Sequence, residues 1–573
     1  MICEIDFPDA DGGRLRARFT HPHRALIALE PGEVEQVIAQ AEQAALDGQW
    51  VVGFVSYEAA AAFDPALKTH PAAKNLPLAV FAVYGYDEAA GDDAASLTRA
   101  TGCGIWNMSD LPGIVEQNIN VIRAAIDRGD YYQVNYATRL KATMSGDIAD
   151  LYSALCTAQP DGYCALIDGG DWKIASVSPE LFFDWTPDRT LTTKPMKGTA
   201  APESGAELVE SPKERAENLM IVDLLRNDMA RVAETGSVEV VSLFDVEALP
   251  TALQMTSTVR CTTREGTALG DVFRALFPCG SVTGAPKVAA MRAIATLESS
   301  PRGIYCGAIG VIRPGGHATF NVAIRTVQVD AKDNMAVCGI GSGITLDSVA
   351  ENEFAEWLVK RRFLLRATAS FDLIESLRLE SGKYWLLDEH LHRLLRGAEH
   401  FGFACDIDAV RQALDHHALQ SNSGLWRIRL LLARDGRTMI EAFSLAPNPD
   451  TAMVALAQSP VDSSSEFLRH KTTERSVYMP HLAADDGVFD TLLFNERNEI
   501  TEFTRGNVIV ELDGRRVTPL LSCGLLPGVL RASLLQKGDL IERAIGLDEL
   551  KNANRLWFAN SVRGLIPARL KPD

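Results

Sequence analysis

At 573 residues the chain is too long for one hydrophobic core, so two to four domains are expected. With 47% hydrophobic and 23% charged residues it reads as ordinary globular protein. The net charge of -19 argues against nucleic acid or an anionic membrane as partner, and an acidic enzyme of anionic substrates must concentrate its positive charge locally. The ten cysteines are scattered with no CxxC pair and no metal-ligand spacing, which suits reduced thiols in a cytoplasm. No basic segment followed by an apolar run opens the sequence, and no stretch of about 18 apolar residues occurs. Neither export nor membrane insertion is therefore expected.

Residues 1 to about 100 mix short strand-like runs, such as WVVGFVSYEAA from Trp50, with a helical pattern over residues 33–46. The small, acidic GYDEAAGDDAAS, residues 85–96, reads as a surface loop. A helix is expected from Ser109 to Arg128, ended by Gly129-Asp130 ahead of YYQVNYATRL. Lys197, between a Pro-Met turn and a Gly-Thr step in TKPMKGT, has the setting of a positioned amine, although a solvated surface lysine fits the spacing as well.

Residues 213–228, KERAENLMIVDLLRND, have helical apolar spacing, and Glu214 and Glu217 share a face. ENEFAEWLVK, residues 351–360, repeats the device with Glu353 and Glu356. Two such pairs suit a hard cation such as Mg²⁺, or simply two solvated helix faces.

SPELFF (178–183), TKPMKGT (193–199), FPCGSVTGAPK (277–287), FNVAIRT (320–326) and GIGSGIT (339–345), in that order, resemble the chorismate-utilising family over roughly residues 45–366. The resemblance implies an α+β, anthranilate synthase-like fold of layered antiparallel sheet, with residues 1–108 its N-terminal part and 109–366 its catalytic core. It implies that Glu217 and Glu356 bind Mg²⁺ directly and Glu214 and Glu353 through water. Chorismate would meet Gln133, Arg325, Gly341, Gly343 and Lys360, with Glu180 as general acid/base.

Two positions choose the branch. Relatives that add water to chorismate carry a water-activating lysine where this chain has Gln133, and an amide cannot take that proton. Relatives that make anthranilate have alanine in place of Lys197, whereas a lysine there is implied to attack C2 and expel the C4 hydroxyl before ammonia displaces it. Such an amine must be neutral, against the pull of the surrounding glutamates. Gln254 departs from the family, replacing a substrate-contacting histidine.

From Phe371 to about Arg569 the sequence resembles the fold-type IV enzymes that use pyridoxal 5'-phosphate, giving a second domain over residues 371–573. Lys471, in RHKTTER, matches the cofactor-bearing lysine, and Glu502, in ITEFTRGN, the carboxylate at the pyridine nitrogen. Arg393, the amides of Val529 and Leu530 after LLPG, and the Ser561 hydroxyl match the phosphate cup. These pieces do not separate a lyase from a transaminase. The fusion does: a lyase would remove pyruvate from the first domain's product, aminodeoxychorismate, and leave 4-aminobenzoate. No glutaminase motif is visible, so ammonia is expected from a separate subunit, and a homodimer through the second domain is expected. Rival readings are an anthranilate synthase component fused to a transaminase, and a half that serves only as a docking module.

Overall fold

The structure is a computed structural model that describes the chain except for residues 10–11, 74, 87–101, 105, 201–209, 250–251, 369–370, 421–422, 464, 483–486, 552 and 572–573. It divides into two compact units, residues 1–369 and 370–573. The acidic run expected as a surface loop lies almost wholly outside the described residues. Among the described residues no helix is long and apolar enough to cross a membrane.

The first unit contains two ten-stranded antiparallel sheets. One runs in the order Gly284–Ala285, Gln133–Ser145, Met335–Ile344, Thr326–Asp330, Trp172–Ser178, Tyr163–Asp168, Ile2–Pro8 and Arg14–Phe19. The other runs from Met196–Ala200 through Ala252–Thr262, Thr190–Lys194, Leu181–Trp185 and Ala318–Val322 to Ala308–Ile312, Trp50–Val55, Ala79–Tyr84 and Arg24–Ala28. Residues 1–108 thus contribute strands to both sheets rather than folding apart.

Alternation explains the layering, since successive strand residues face opposite sides. Ile5, Phe7, Ile167 and Ile174 of one sheet pack against Val52, Phe54, Val80 and Ile309 of the other, forming a core between the sheets. The outer faces are apolar too and are covered by helices. Pro31–Leu46, Pro212–Ala230 and Leu269–Leu276 cover one, and Pro112–Asp127, Ile148–Ala158 and Lys287–Leu297 the other. Pro at the first helical position starts Pro31–Leu46, Pro112–Asp127 and Pro212–Ala230, where its missing N–H costs nothing.

In the second unit, Lys383–Tyr384, Leu373–Glu380, Leu425–Leu432 and Thr438–Ser444 form a four-stranded antiparallel sheet. The larger sheet runs Ile500–Phe503, Asp490–Phe494, Ala452–Leu456, Gly564–Leu570, Arg555–Asn560, Gly506–Leu512, and its first strand also pairs with Gly506–Leu512. That pairing closes a barrel around Val454, Leu492, Phe503, Val508 and Phe558.

The Phe54 ring, fully buried, meets Trp172 edge-on across the two sheets at 5.2 Å. Phe54→Ala is expected to lower the unfolding free energy by about 3–5 kcal/mol in denaturant titration. A loss below about 1 kcal/mol would show that the inter-sheet core closes over the cavity.

Candidate active sites

Lys197 stands on a bulge. Met196 pairs with Thr256 and Thr199 with Gln254, so three steps along one strand face two along the other. Gly198, at φ +93°, accommodates the extra residue. The bulge turns the lysine toward the end of the neighbouring sheet. A Cβ built on Gly343 would lie 2.9 Å from Lys197 Nζ and 2.0 Å from Gln133 Nε2. The bare flank of Gly343 is thus where the ends of these two side chains come together. Gln133 is buried and its Oε1 has no hydrogen-bond partner. Gln254, in place of the expected histidine, is buried on the strand opposite the bulge.

Glu180 shares this enclosure. Its N–H donates to Ser178 Oγ (3.2 Å), which donates to the Val322 carbonyl (2.5 Å). Burial pushes its carboxyl up to about 7, opposed by a hydrogen bond with Ser281 and then by the charge of Lys197. One carboxyl oxygen, Oε1, is buried without a partner. The group can therefore hold or release a proton near neutrality beside the amine.

Three of the four predicted metal ligands, Glu214, Glu217 and Glu356, lie within electrostatic reach of Lys197. Burial raises Glu214 and Glu217 above the ordinary range, and neighbouring glutamates add to it while Lys197 opposes it. For Glu356 burial acts the same way, but Lys360, at 2.6 Å, and then Lys197 outweigh it and hold the carboxyl low. Glu353 accepts from Ser342 Oγ (2.6 Å), itself fixed by Trp357 Nε1. Among the described residues no three acidic side chains surround one point closely enough to hold a metal. The donor set nonetheless fits a hard cation: four carboxylates from two helices, with Glu214 and Glu217 raised by burial and Glu356 held low by Lys360, present oxygen alone.

Lys360 does more than supply charge, because it also donates to the Gly341 carbonyl (2.9 Å). A Cβ on Gly341 would strike the Tyr136 carbonyl at 2.3 Å, so sheet packing requires the glycine. Arg325 sits at φ +49°, in the left-handed region, and donates to Gln159 Oε1. No carboxylate pairs with it among the described residues, and burial lowers its pKa. Such an arginine is available to a carboxylate ligand. Gln159 and Ser281 were not singled out in the sequence: Gln159 falls in no telling motif, and Ser281, although inside FPCGSVTGAPK, meets Glu180 only through the fold.

In the second unit Lys471 is fixed by its backbone, the carbonyl accepting from Ile374 N–H (3.1 Å). Burial and then the charge of Arg393 bring its amine down to about 8, against the opposing charge of Glu375. Glu502 is raised to about 8 by burial, against a hydrogen bond from Tyr478 Oη at 2.9 Å. Arg393 donates to Glu375 through Nε (2.8 Å) and Nη2 (2.6 Å), and Nη1 reaches the Pro527 carbonyl (3.4 Å). Burial alone would raise Glu375, but Arg393 and His390 hold it well below the carboxylate range. Glu375 and Tyr478 also escaped the sequence reading.

Val529 and Leu530 open the helix Val529–Gln536 behind Gly528, where the first N–H groups lack intrahelical acceptors. Ser561 lies in a turn tied by Asn560 Oδ1, which accepts from Val562 and Arg563 N–H. A lysine with a lowered pKa, a buried carboxylate and donors of the kinds that bind phosphate, a guanidinium, helix-start amides and a hydroxyl, fit pyridoxal phosphate.

Two family descriptions match in succession: chorismate binding enzyme over residues 115–366 and amino-transferase class IV over residues 372–570. Each match covers less than half of the chain, and the two segments are similar to these families in turn. Aminodeoxychorismate synthase component 1 of Klebsiella aerogenes is 40% identical over 257 residues, 44% of this chain and 56% of that protein. Anthranilate synthase component 1 of Aquifex aeolicus is 36% identical over 270 residues, 46% of this chain and 54% of that protein. The chain thus spans about half the length of the curated relatives it matches. The solved anthranilate synthase component I of Streptococcus pneumoniae TIGR4 superposes with a TM-score of 0.51 at 25% identity, covering 63% of this chain and 91% of its own.

Folded Glu180 keeps its proton to about pH 7, whereas the unfolded group releases it near 4.5. Its contribution to stability is therefore complete below pH 4.5 and lost as pH rises through 7. Glu180→Gln should reduce the decline in stability across that window in denaturant titrations at several pH values. Glu58, also raised to about 7 by burial, keeps the slope from vanishing. An unchanged profile would place Glu180 in water.

Proposed function

We propose that the chain makes 4-aminobenzoate in two steps, one in each unit. In the first, chorismate and ammonia give 4-amino-4-deoxychorismate and water. Lys197 attacks C2, Glu180 protonates the departing C4 hydroxyl, and ammonia then adds at C4 as the lysine leaves. The observation that carries this reading is Lys197 raised on a bulge against Gly343 and Gln133, beside a carboxyl that titrates near neutrality. Arg325, which has no carboxylate partner among the described residues, would take a substrate carboxylate.

Glu214, Glu217, Glu353 and Glu356 would hold Mg²⁺, which would supply positive charge to a substrate carboxylate and the departing oxygen. The aminodeoxychorismate synthase relatives support the branch; the anthranilate synthase relatives mark the rival, which Lys197 disfavours because direct attack by ammonia needs no amine there. Ammonia would come from a separate glutaminase subunit.

The second step removes pyruvate from aminodeoxychorismate and leaves the aromatic amine. Pyridoxal phosphate, when bound, supplies an electron sink for the carbon beside the amine. Lys471 would bear the cofactor and move the proton at that carbon, its amine already half neutral near pH 8. Glu502 would face the ring nitrogen, while Arg393, the Val529 and Leu530 amides and Ser561 would hold the phosphate. A homodimer through this unit and a cytoplasmic location belong to the same reading.

Product analysis after mixing the protein with chorismate, Mg²⁺, pyridoxal phosphate and ammonium at alkaline pH tests both steps. Wild type should yield 4-aminobenzoate and pyruvate, Lys471→Ala should stop at aminodeoxychorismate, and Lys197→Ala should lose at least about a hundredfold in rate. Anthranilate as product would overturn the branch.

A further inference from the structure

Asn507 has no place in the roles assigned so far, yet three parts of the second site meet on it. It is 4% exposed and lies on Gly506–Leu512, directly opposite Glu502 in one register and Ala559 in the other. Its Nδ2 donates to the Leu526 carbonyl at 2.9 Å and reaches Glu502 Oε2 at 3.3 Å. The Leu526 N–H in turn bonds the Glu502 carboxylate. Glu502, the Leu526 peptide and the Asn507 amide thus close a ring of hydrogen bonds.

The other amide atom faces the loop's end. A Cβ on Gly528 would lie 1.8 Å from Asn507 Oδ1, so the glycine before the helix Val529–Gln536 is required by the asparagine itself. Residues 525–528 are gripped on the other side by Arg393, through the Pro527 carbonyl.

We propose that Asn507 is a positioning residue that locks the phosphate-binding helix end to Glu502, so that the two ends of the cofactor are held at one fixed spacing. The proposal rests on the reading of this unit as a pyridoxal phosphate site. An amide is suited to the task because it donates to a carbonyl and a carboxylate at once and adds no charge. Alanine removes both bonds, leaving the half-buried Leu526 carbonyl without its donor. Aspartate keeps the shape but sets a second carboxylate against Glu502, which would force the pair to share a proton.

The test uses full-length protein stripped of cofactor and retitrated with pyridoxal phosphate, following the cofactor's visible absorbance band. Asn507→Ala should weaken binding about tenfold or more, while aminodeoxychorismate formation by the first unit stays at the wild-type rate and reports a folded chain. Asn507→Asp should raise the pH midpoint of the visible band, because added negative charge favours the protonated form. A purely structural role would leave that midpoint in place. Wild-type affinity in the alanine variant together with an unmoved midpoint in the aspartate variant overturns the proposal alone. Failure of wild type to bind the cofactor overturns the reading of the site and the proposal with it.

Discussion

Glu298 is a fully buried carboxylate shared by two arginines, and the first active site is assembled around that pairing. Arg302 donates to it at 2.6 Å and Arg139 at 2.9 Å. The same guanidinium of Arg302 reaches the Asn135 and Val282 carbonyls, and Glu298 accepts the Ala137 N–H. Asn135 lies two residues from Gln133 and Val282 follows Ser281, the partner of Glu180. One buried cluster thereby fixes the strand that carries the amide and the loop that supports the acid. Such a cluster is costly to break, because a lone buried charge has no water to replace its partner. It also leaves the lysine to be positioned from the other sheet, by the bulge.

The second unit uses the same physics. Glu375 is buried between Arg393 and His390, so the arginine is held by its Nε and Nη2 while Nη1 faces the loop ahead of the helix Val529–Gln536. A phosphate-binding arginine needs that restraint: a long side chain ordered before binding loses less entropy when the ligand arrives. In both units a buried carboxylate holds arginine in place, and burial leaves Glu180, Lys471 and Glu502 with shifted proton affinity.

Much of this was legible in the sequence because chemistry had confined it to short motifs. Glu180, Lys197, Arg325, Lys471 and Glu502 all stand in runs whose order marks a family, and the layered antiparallel sheets follow from that resemblance. What was not legible depends on contacts between segments far apart in the chain. Gln159 meets Arg325 across 166 positions, and Glu298 meets Arg139 across 159. No local pattern records such a pair. Gly341 and Gly343 look alike in GIGSGIT, yet a Cβ on one would strike the carbonyl of the neighbouring strand and on the other would meet the ends of the Gln133 and Lys197 side chains. Only the register between Gln133–Ser145 and Met335–Ile344 separates the two reasons.

The central claim is that Lys197 forms a bond to the substrate ring before ammonia arrives. Incubating the protein with chorismate and Mg²⁺, without any ammonia source, and then mapping peptides by mass spectrometry tests it directly. The account predicts a peptide containing Lys197 heavier by chorismate less one water, lost again when ammonium is added. An unmodified Lys197 peptide, in protein that still makes aminodeoxychorismate once ammonium is supplied, would contradict it.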